Sequence, residues 1–100
     1  MENQHRKITG YRELTPEEVA LMNKIKALGQ EIEAVFLDVK EHLRVQKYNT
    51  MCDANLSVTD PVEHNRLIDA TPERFAALAK TEFQTGLMYL TRAVAQPTTF

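Results

Sequence analysis

The sequence predicts an all-α fold, an antiparallel helical hairpin with a short N-terminal arm. Two long stretches carry apolar residues at helical spacing, and each of them opens on a Thr-Pro pair. No stretch shows the strict alternation of a strand. The chain has 100 residues, seven aromatic residues and no Trp. We therefore expect a single domain over residues 1–100 with a thin core, which assembly into a compact helical homo-oligomer completes.

After an arm of residues 1–14, the first long helix is predicted over about residues 15–47. Thr15 is its expected N-cap, Pro16 occupies the first helical position, and Glu18 completes a capping box. Gly29 lies inside the helix, where glycine costs about 1 kcal/mol relative to alanine, and it marks a kink or a close helix crossing. The apolar seam, with its heptad spacing, is Leu21, Ile25, Leu28, Ile32, Val35 and Val39, widened by Met22, Phe36 and Leu43. We expect the seam to serve both as hairpin core and as subunit interface.

The middle segment, residues 48–70, is rich in loop residues, and Asp60 is positioned to cap a short helical turn that starts at Pro61. The second long helix is predicted over about residues 71–96. Thr71 is its expected cap, and the Gln96-Pro97 pair ends it. Alanines and a glycine thin the surface of this helix, which allows another helix to pack closely.

Composition excludes several classes of protein. The net charge of −2 argues against a general binder of DNA or RNA, which relies on an excess of basic residues. No apolar run approaches the length of a membrane span, and no signal peptide follows Met1, so a soluble protein in a reducing cytoplasm is expected. The single Cys52 excludes an intramolecular disulfide and a paired-cysteine metal motif. His5, His42 and His64 lack metal-ligand spacing, and no catalytic constellation is present, so we expect neither enzyme activity nor a cofactor.

The N-terminal arm is the strongest functional feature. Residues 1–12 carry three basic residues against one acidic residue, whereas the rest of the chain has nine basic and thirteen acidic residues. A basic arm on an acidic body suits a small anionic ligand better than a polymer. In the arm, Thr9 and Gly10 offer backbone N–H groups to a phosphate, and Tyr11 offers a ring that can stack on a base. From the residues alone, a hydrophobic staple explains Tyr11 somewhat better than stacking does. Gly10 is equally compatible with the turn into the helix.

Two cations on the helices complete the candidate set. Lys26 can place a point charge on a phosphate, although a solvated helix face is the usual explanation for such a lysine. Arg74 lies at the third position of the second long helix, where a cation opposes the helix dipole. An anion held jointly by Arg74 and the helix N-terminus would explain this placement, and so would an ordinary surface ion pair with a nearby acid.

The arm, His5 to Leu14, and the tail, Phe83 to Pro97, resemble the phage anti-CBASS cyclic-oligonucleotide sponge family. Members of that family share a hairpin domain with one group of Thoeris anti-defence sponges. The resemblance implies a non-enzymatic phage protein, acting in the host cytoplasm, that sequesters cyclic di- and trinucleotides such as cyclic GMP–AMP and so aids immune evasion. It also implies a homohexamer with nucleotide pockets between protomers. In the family's dinucleotide pocket, the tyrosine and lysine match Tyr11 and Lys26, and an arginine of the trinucleotide pocket matches Arg74.

Other functions stay open from the sequence. A helical adaptor could use the apolar seam to bind a partner helix without any nucleotide ligand. A phosphodiesterase would need a metal cluster or general base that the histidines do not supply. A nucleic-acid binder acting through the basic arm would show a steep dependence on salt.

Overall fold

The structure, a computed structural model, describes residues 12–51 and 57–99. Three helices follow in chain order: α1 (Pro16–Tyr48), α2 (Pro61–Ala70) and α3 (Pro72–Ala95). Across those two ranges the only β-type pairing is an isolated antiparallel bridge between Met51 and Val58. The two long helices form a hairpin, which confirms the predicted all-α fold class. Thr9, Gly10 and Tyr11 lie outside the described residues.

The start of α1 has the predicted capping box. The backbone N–H of Glu18 donates to the Thr15 hydroxyl at 3.2 Å, and the backbone N–H of Thr15 donates to the Glu18 carboxylate at 2.8 Å. These two bonds satisfy amides that a helix N-terminus otherwise leaves without partners. Pro16, the first helical residue, has no N–H to satisfy.

The middle segment, for which the sequence leaves a loop or a short helix open, contains the ten-residue helix α2. Its N-cap is Asp60, as predicted, and the side chain accepts from the backbone N–H of Glu63 at 3.2 Å. One residue, Thr71, separates α2 from α3. Its backbone is left-handed, with φ 46°, because this residue both ends α2 and supplies the carbonyl that receives the first amides of α3. Such a conformation is unusual for a β-branched residue, since its Cβ crowds the backbone there.

The described residues group into two compact units, one within residues 1–31 and 83–100 and the other within residues 32–82. In the first unit, a Cβ on Gly29 of α1 would lie 3.2 Å from Leu87 Cδ1 of α3, so glycine permits a close helix approach. In the second unit, the Lys80 ammonium of α3 lies 5.5 Å from the ring centroid of Phe36 of α1. The prediction that residues 1–100 form a single domain stays a prediction.

The inner face of α1 differs from the predicted seam. The partly shielded residues of this helix after its first turn are Met22, Ile25, Gly29, Ile32, Phe36, Leu43 and Gln46. Leu21, Leu28, Val35 and Val39 of the seam are exposed instead. The inner face includes Gly29, where α1 approaches α3 closely. It is therefore rotated around the axis of α1 relative to the predicted seam, toward the residues that were expected only to widen that seam.

The loop between α1 and α2 is anchored by Thr50, the one residue of the described chain that is fully buried, at 1% exposure. Its hydroxyl donates to the Lys47 carbonyl at 2.7 Å and lies 3.0 Å from Nδ1 of His64. Because a hydroxyl has a single proton, His64 must donate in the second bond. The Thr50 carbonyl accepts from the amides of Thr59 and Asp60, so this residue ties both ends of the loop together.

A single chain buries no apolar side chain among the residues described. Seventeen large apolar side chains of these ranges are exposed, and they extend along both long helices. Domains of this size normally gain most of their stability by removing such side chains from water. The hairpin therefore presents far more apolar surface than a stable monomer of its length requires.

Candidate functional site

The first unit contains an open groove between the first half of α1 and the end of α3. Its volume is about 590 Å³, which is within the range of small-molecule sites. The groove is lined by Met22, Ile25, Lys26, Gly29, Leu87, Met88, Thr91, Arg92, Ala95 and Pro97. Gly29 lies at the floor of the groove. Because it has no side chain, α1 can approach Leu87 of α3 closely at this point.

Two cations line this mostly apolar groove, Lys26 from α1 and Arg92 from α3. Both are exposed, and neither has a carboxylate within ion-pair distance in the described part of the chain. Within residues 12–51 and 57–99, the Arg92 side chain makes one hydrogen bond, a long one of 3.5 Å from Nη2 to the Thr99 carbonyl. A bond of that length is weak, so the guanidinium keeps most of its donor capacity.

Arg12 connects the end of the arm to one rim of the groove. Its Nε donates to the Ala95 carbonyl at 3.0 Å, and its Nη2 donates to the Val94 carbonyl at 2.7 Å. The same guanidinium is bidentate to the Glu18 carboxylate at the start of α1. Arg12 therefore holds the last carbonyls of α3 and the first turn of α1 in one network, a pairing that suits the dipoles of both helix ends.

The electrostatics of this network follow from its hydrogen bonds. The Arg12 guanidinium and the capping bonds of Thr15 lower the pKa of Glu18 from 4.5 to about 2. The hydrogen bond to Glu18 raises the pKa of Arg12 in turn. Both groups therefore stay charged throughout the physiological pH range.

The structure places the predicted site residues as follows. Lys26 lines the groove of the first unit. Arg74 lies in the second unit, is exposed, and has its guanidinium carbon 5.5 Å from the ring centroid of Phe75. The surface ion pair considered for Arg74 is not formed with any residue in the described ranges. Tyr11, Gly10 and Thr9 precede Arg12 in the chain and lie outside the described residues.

Sequence reasoning counted Arg12 only as one of the basic residues of the arm, and it missed Arg92 as a member of this neighbourhood. Both belong to the arm and tail segments that carry the resemblance, but neither stood out by spacing. Arg92 falls in the last turn of α3, where a basic residue is ordinarily explained by the helix dipole. Only the pairing of α1 with α3 brings Arg92 to the same groove as Lys26.

The groove can bind an anion with an apolar or aromatic part. Its cations suit phosphate oxygens, while Met88 and the aliphatic side chains suit the face of a base. Histidine, cysteine and carboxylate side chains form no metal-binding cluster in the ranges that the structure describes. Across the same residues, no helix has the combination of length and apolarity that a membrane crossing requires.

Residues 3–95 match the family described as the Acb2/Tad1 hairpin domain. The chain belongs to this family. A curated relative, Anti-CBASS protein 2 of Pseudomonas phage JBD67, is 43% identical over 105 aligned residues, covering 97% of this chain and 97% of that protein. Membership in the Acb2/Tad1 hairpin-domain family confirms the resemblance drawn from the arm and tail motifs. The match includes every groove residue except Pro97, and it includes the arm from residue 3 onward.

Proposed function

We propose that this protein is a phage anti-CBASS sponge that binds cyclic dinucleotides such as cyclic GMP–AMP and does not cleave them. The observation that carries the proposal is the groove, where Lys26 faces an apolar surface large enough for a small ligand. The full-length relationship to Anti-CBASS protein 2 supports the biological role. Lys26 neutralises a phosphate, and Tyr11, one residue before the anchored Arg12, stacks on a base.

Sequestration acts by mass action on the free ligand. A cyclic dinucleotide held in the groove cannot reach the effector that it would activate, so the defence stays off in the host cytoplasm. Helices and the Arg12 network fix the walls of the groove before binding, which limits the conformational entropy lost when the ligand binds. No chemical step is required of the protein.

The proposal includes assembly into a homo-oligomer, with six copies as the resemblance implies. The exposed apolar side chains of both long helices supply the surface for contacts between copies. An open groove on one chain becomes a closed pocket when a second copy covers it. An assembly with several sites can then bind more molecules of the cyclic dinucleotide than a single site could.

A second pocket for cyclic trinucleotides is part of the proposal, with Arg74 as its cation. Arg74 lies in a different unit from Lys26, which favours two separate sites. It has no carboxylate partner in the described ranges, and its guanidinium carbon lies 5.5 Å from the ring centroid of Phe75. Its guanidinium is therefore available to an anion.

The test is calorimetric titration of the wild-type protein with cyclic GMP–AMP, beside Lys26→Ala and Tyr11→Ala. We expect tight binding by wild type and a loss of about 5- to 150-fold in each variant, because a charge-assisted bond or a stacked base contributes about 1–3 kcal/mol. Lys47→Ala is the matched control, since Lys47 is an exposed lysine of the same helix in the other unit.

Three results would contradict the proposal. Absence of binding by wild type, followed by capture of a partner helix, would favour the adaptor. Cyclic GMP–AMP recovered in hydrolysed form after heat denaturation would identify a phosphodiesterase. For the second pocket, Arg74→Ala is titrated with cyclic GMP–AMP and with cyclic tri-adenylate. Unchanged binding of cyclic tri-adenylate would contradict the role of Arg74. Loss of cyclic tri-adenylate binding with cyclic GMP–AMP binding retained would support two pockets.

A further inference from the structure

The guanidinium of Arg12 differs from those of Arg44 and Arg66 in what it joins. Arg44 and Arg66 each bind a glutamate three residues away, so each of their pairs stays within one helix. Arg12 instead reaches the carbonyls of Val94 and Ala95, which lie 82 and 83 residues further along the chain. A pair within one helix supports that helix alone. The bonds of Arg12 join the end of the arm to two helices.

Four hydrogen bonds fix the orientation of the Arg12 side chain. Its Nε donates to Ala95 at 3.0 Å, its Nη2 donates to Val94 at 2.7 Å, and both terminal nitrogens bind the Glu18 carboxylate. The last carbonyls of a helix have no amide partner within it, so they are natural acceptors for a cation. These bonds use nearly all the N–H donors of an arginine, and little capacity is left for a ligand.

The Arg12 network, meaning the bonds of Arg12 to Glu18, Val94 and Ala95, lies at one edge of the groove. Ala95 is both an acceptor in the network and a lining residue of the groove. Met22, which lines the α1 wall, follows Glu18 by about one turn of the helix. All of these residues belong to the first unit. The arm is therefore attached to the hairpin where the groove begins.

We propose that Arg12 is a positioning residue for the cyclic dinucleotide and that it acts through Tyr11. This inference rests on the proposed function and adds a residue that does not itself touch the ligand. Consecutive Cα atoms are about 3.8 Å apart, so the Arg12 network fixes the point from which Tyr11 extends. Without the network, the end of the arm must be ordered when the ligand binds, and the entropy lost at that moment lowers the affinity.

Two other roles for Arg12 predict different results. In a purely structural role, its replacement lowers the melting temperature of the hairpin and leaves the affinity intact. In a direct contact with a phosphate, its replacement flattens the salt dependence of the affinity, because that dependence scales with the number of phosphates neutralised. Positioning through Tyr11 predicts a loss of affinity that occurs only when Tyr11 is present and that leaves the salt dependence unchanged.

The experiment is a double-mutant cycle, in which calorimetric titration with cyclic GMP–AMP compares wild type, Arg12→Ala, Tyr11→Ala and the double variant. We expect Arg12→Ala to weaken binding by about 5- to 30-fold, the factor that corresponds to fixing the backbone of one residue. In the Tyr11→Ala background, the same substitution should change the affinity by less than about twofold. The salt dependence of Arg12→Ala should equal that of wild type.

Arg12→Lys separates the charge from the geometry. A lysine keeps the charge, but its single ammonium cannot bind a carboxylate and two carbonyls in the same arrangement. We therefore expect Arg12→Lys to lose most of the affinity that Arg12→Ala loses. Arg44→Ala is the matched control, because it breaks a bidentate surface pair in the other unit and should bind as wild type does.

The outcomes separate this inference from the function on which it rests. Equal losses with and without Tyr11 would overturn the positioning role, and so would wild-type affinity in Arg12→Ala or Arg12→Lys. If Tyr11→Ala weakened binding and Arg12→Ala did not, Arg12 alone would lose its role. Absence of wild-type binding would overturn the proposed function and the positioning role together.

Light scattering and circular dichroism show whether Arg12→Ala has changed in mass or in helix content. If it has, Glu18→Gln takes its place in the same cycle, because this variant weakens the Arg12 network and leaves Arg12 present. We expect a smaller loss of affinity than for Arg12→Ala, again confined to the background that retains Tyr11. A loss that persists in the Tyr11→Ala background would contradict the inference.

Discussion

Glu18 takes part in two structures at once, because one carboxylate caps α1 and also binds the guanidinium of Arg12. The same guanidinium reaches the final carbonyls of α3. Loss of this carboxylate therefore affects the helix start, the end of the hairpin and the point where the arm is attached. Few surface glutamates have consequences in three places.

We expect Glu18→Gln to lower the melting temperature at neutral pH, and the difference from wild type to shrink in acid. The folded-state pKa of Glu18 is lowered from 4.5 to about 2, so its contribution is present above about pH 4.5. That contribution is lost as the pH falls through about 2. Thermal melts between pH 7 and pH 2 measure the effect.

Glu17→Gln is the matched control for this prediction. Glu17 is an exposed acidic residue of the same first turn, so its removal reproduces the loss of a carboxylate near the helix dipole. Equal melting profiles for Glu17→Gln and Glu18→Gln would show that Arg12 adds nothing beyond the dipole.

At the scale of elements, the two glycines within the long helices play different parts. Gly29 has Leu87 Cδ1 at 3.2 Å from the position of an added Cβ, whereas Gly86 has nothing within 4 Å. We expect Gly86→Ala to raise the stability by about 1 kcal/mol through helix propensity. Gly29→Ala should gain less, because the Leu87 side chain must shift by a few tenths of an ångström.

Chemical denaturation of the two variants measures the difference. A loss of stability in Gly86→Ala would mean that another copy of the chain packs against this position. If Gly29→Ala raised the stability as much as Gly86→Ala does, the shift of the Leu87 side chain that the added Cβ requires would have no energetic cost.

For the whole molecule, the exposed apolar surface predicts that stability depends on protein concentration. Under the proposed assembly, a chain that buries no apolar side chain in its described ranges would gain its core from other copies, so folding and association would be linked. We expect the melting temperature to rise with concentration, and light scattering to give a mass several times that of one chain. Tyr89→Lys, at a position 69% exposed, should reduce that mass.

A monomer whose melting temperature is independent of concentration would contradict this prediction. Val62→Lys provides the comparison for Tyr89→Lys, because Val62 is 83% exposed but lies on the short helix α2. A similar effect of both substitutions would place the interface on α2 as well as on α3.

The sequence predicts local features well where neighbouring residues determine them. The capping box at Thr15 and the cap at Asp60 depend on residues three positions apart, and both form as expected. The inner face of α1 depends instead on α3, so the heptad spacing did not reveal that Leu28 and Val35 are exposed. Arg92 shows the same limit, because its place in the groove that Lys26 also lines arises only from the pairing of two helices.

The absence of a buried apolar core in the described part of one chain has a consequence for sequence divergence. Positions that are half-exposed in a monomer usually accept substitutions freely, while core positions do not. Under the proposed assembly, this distinction disappears, since the same side chains form the interior of a larger particle. A mutational scan would then find intolerant stripes along surfaces that look permissive, and natural variation would concentrate on the few faces that no copy covers.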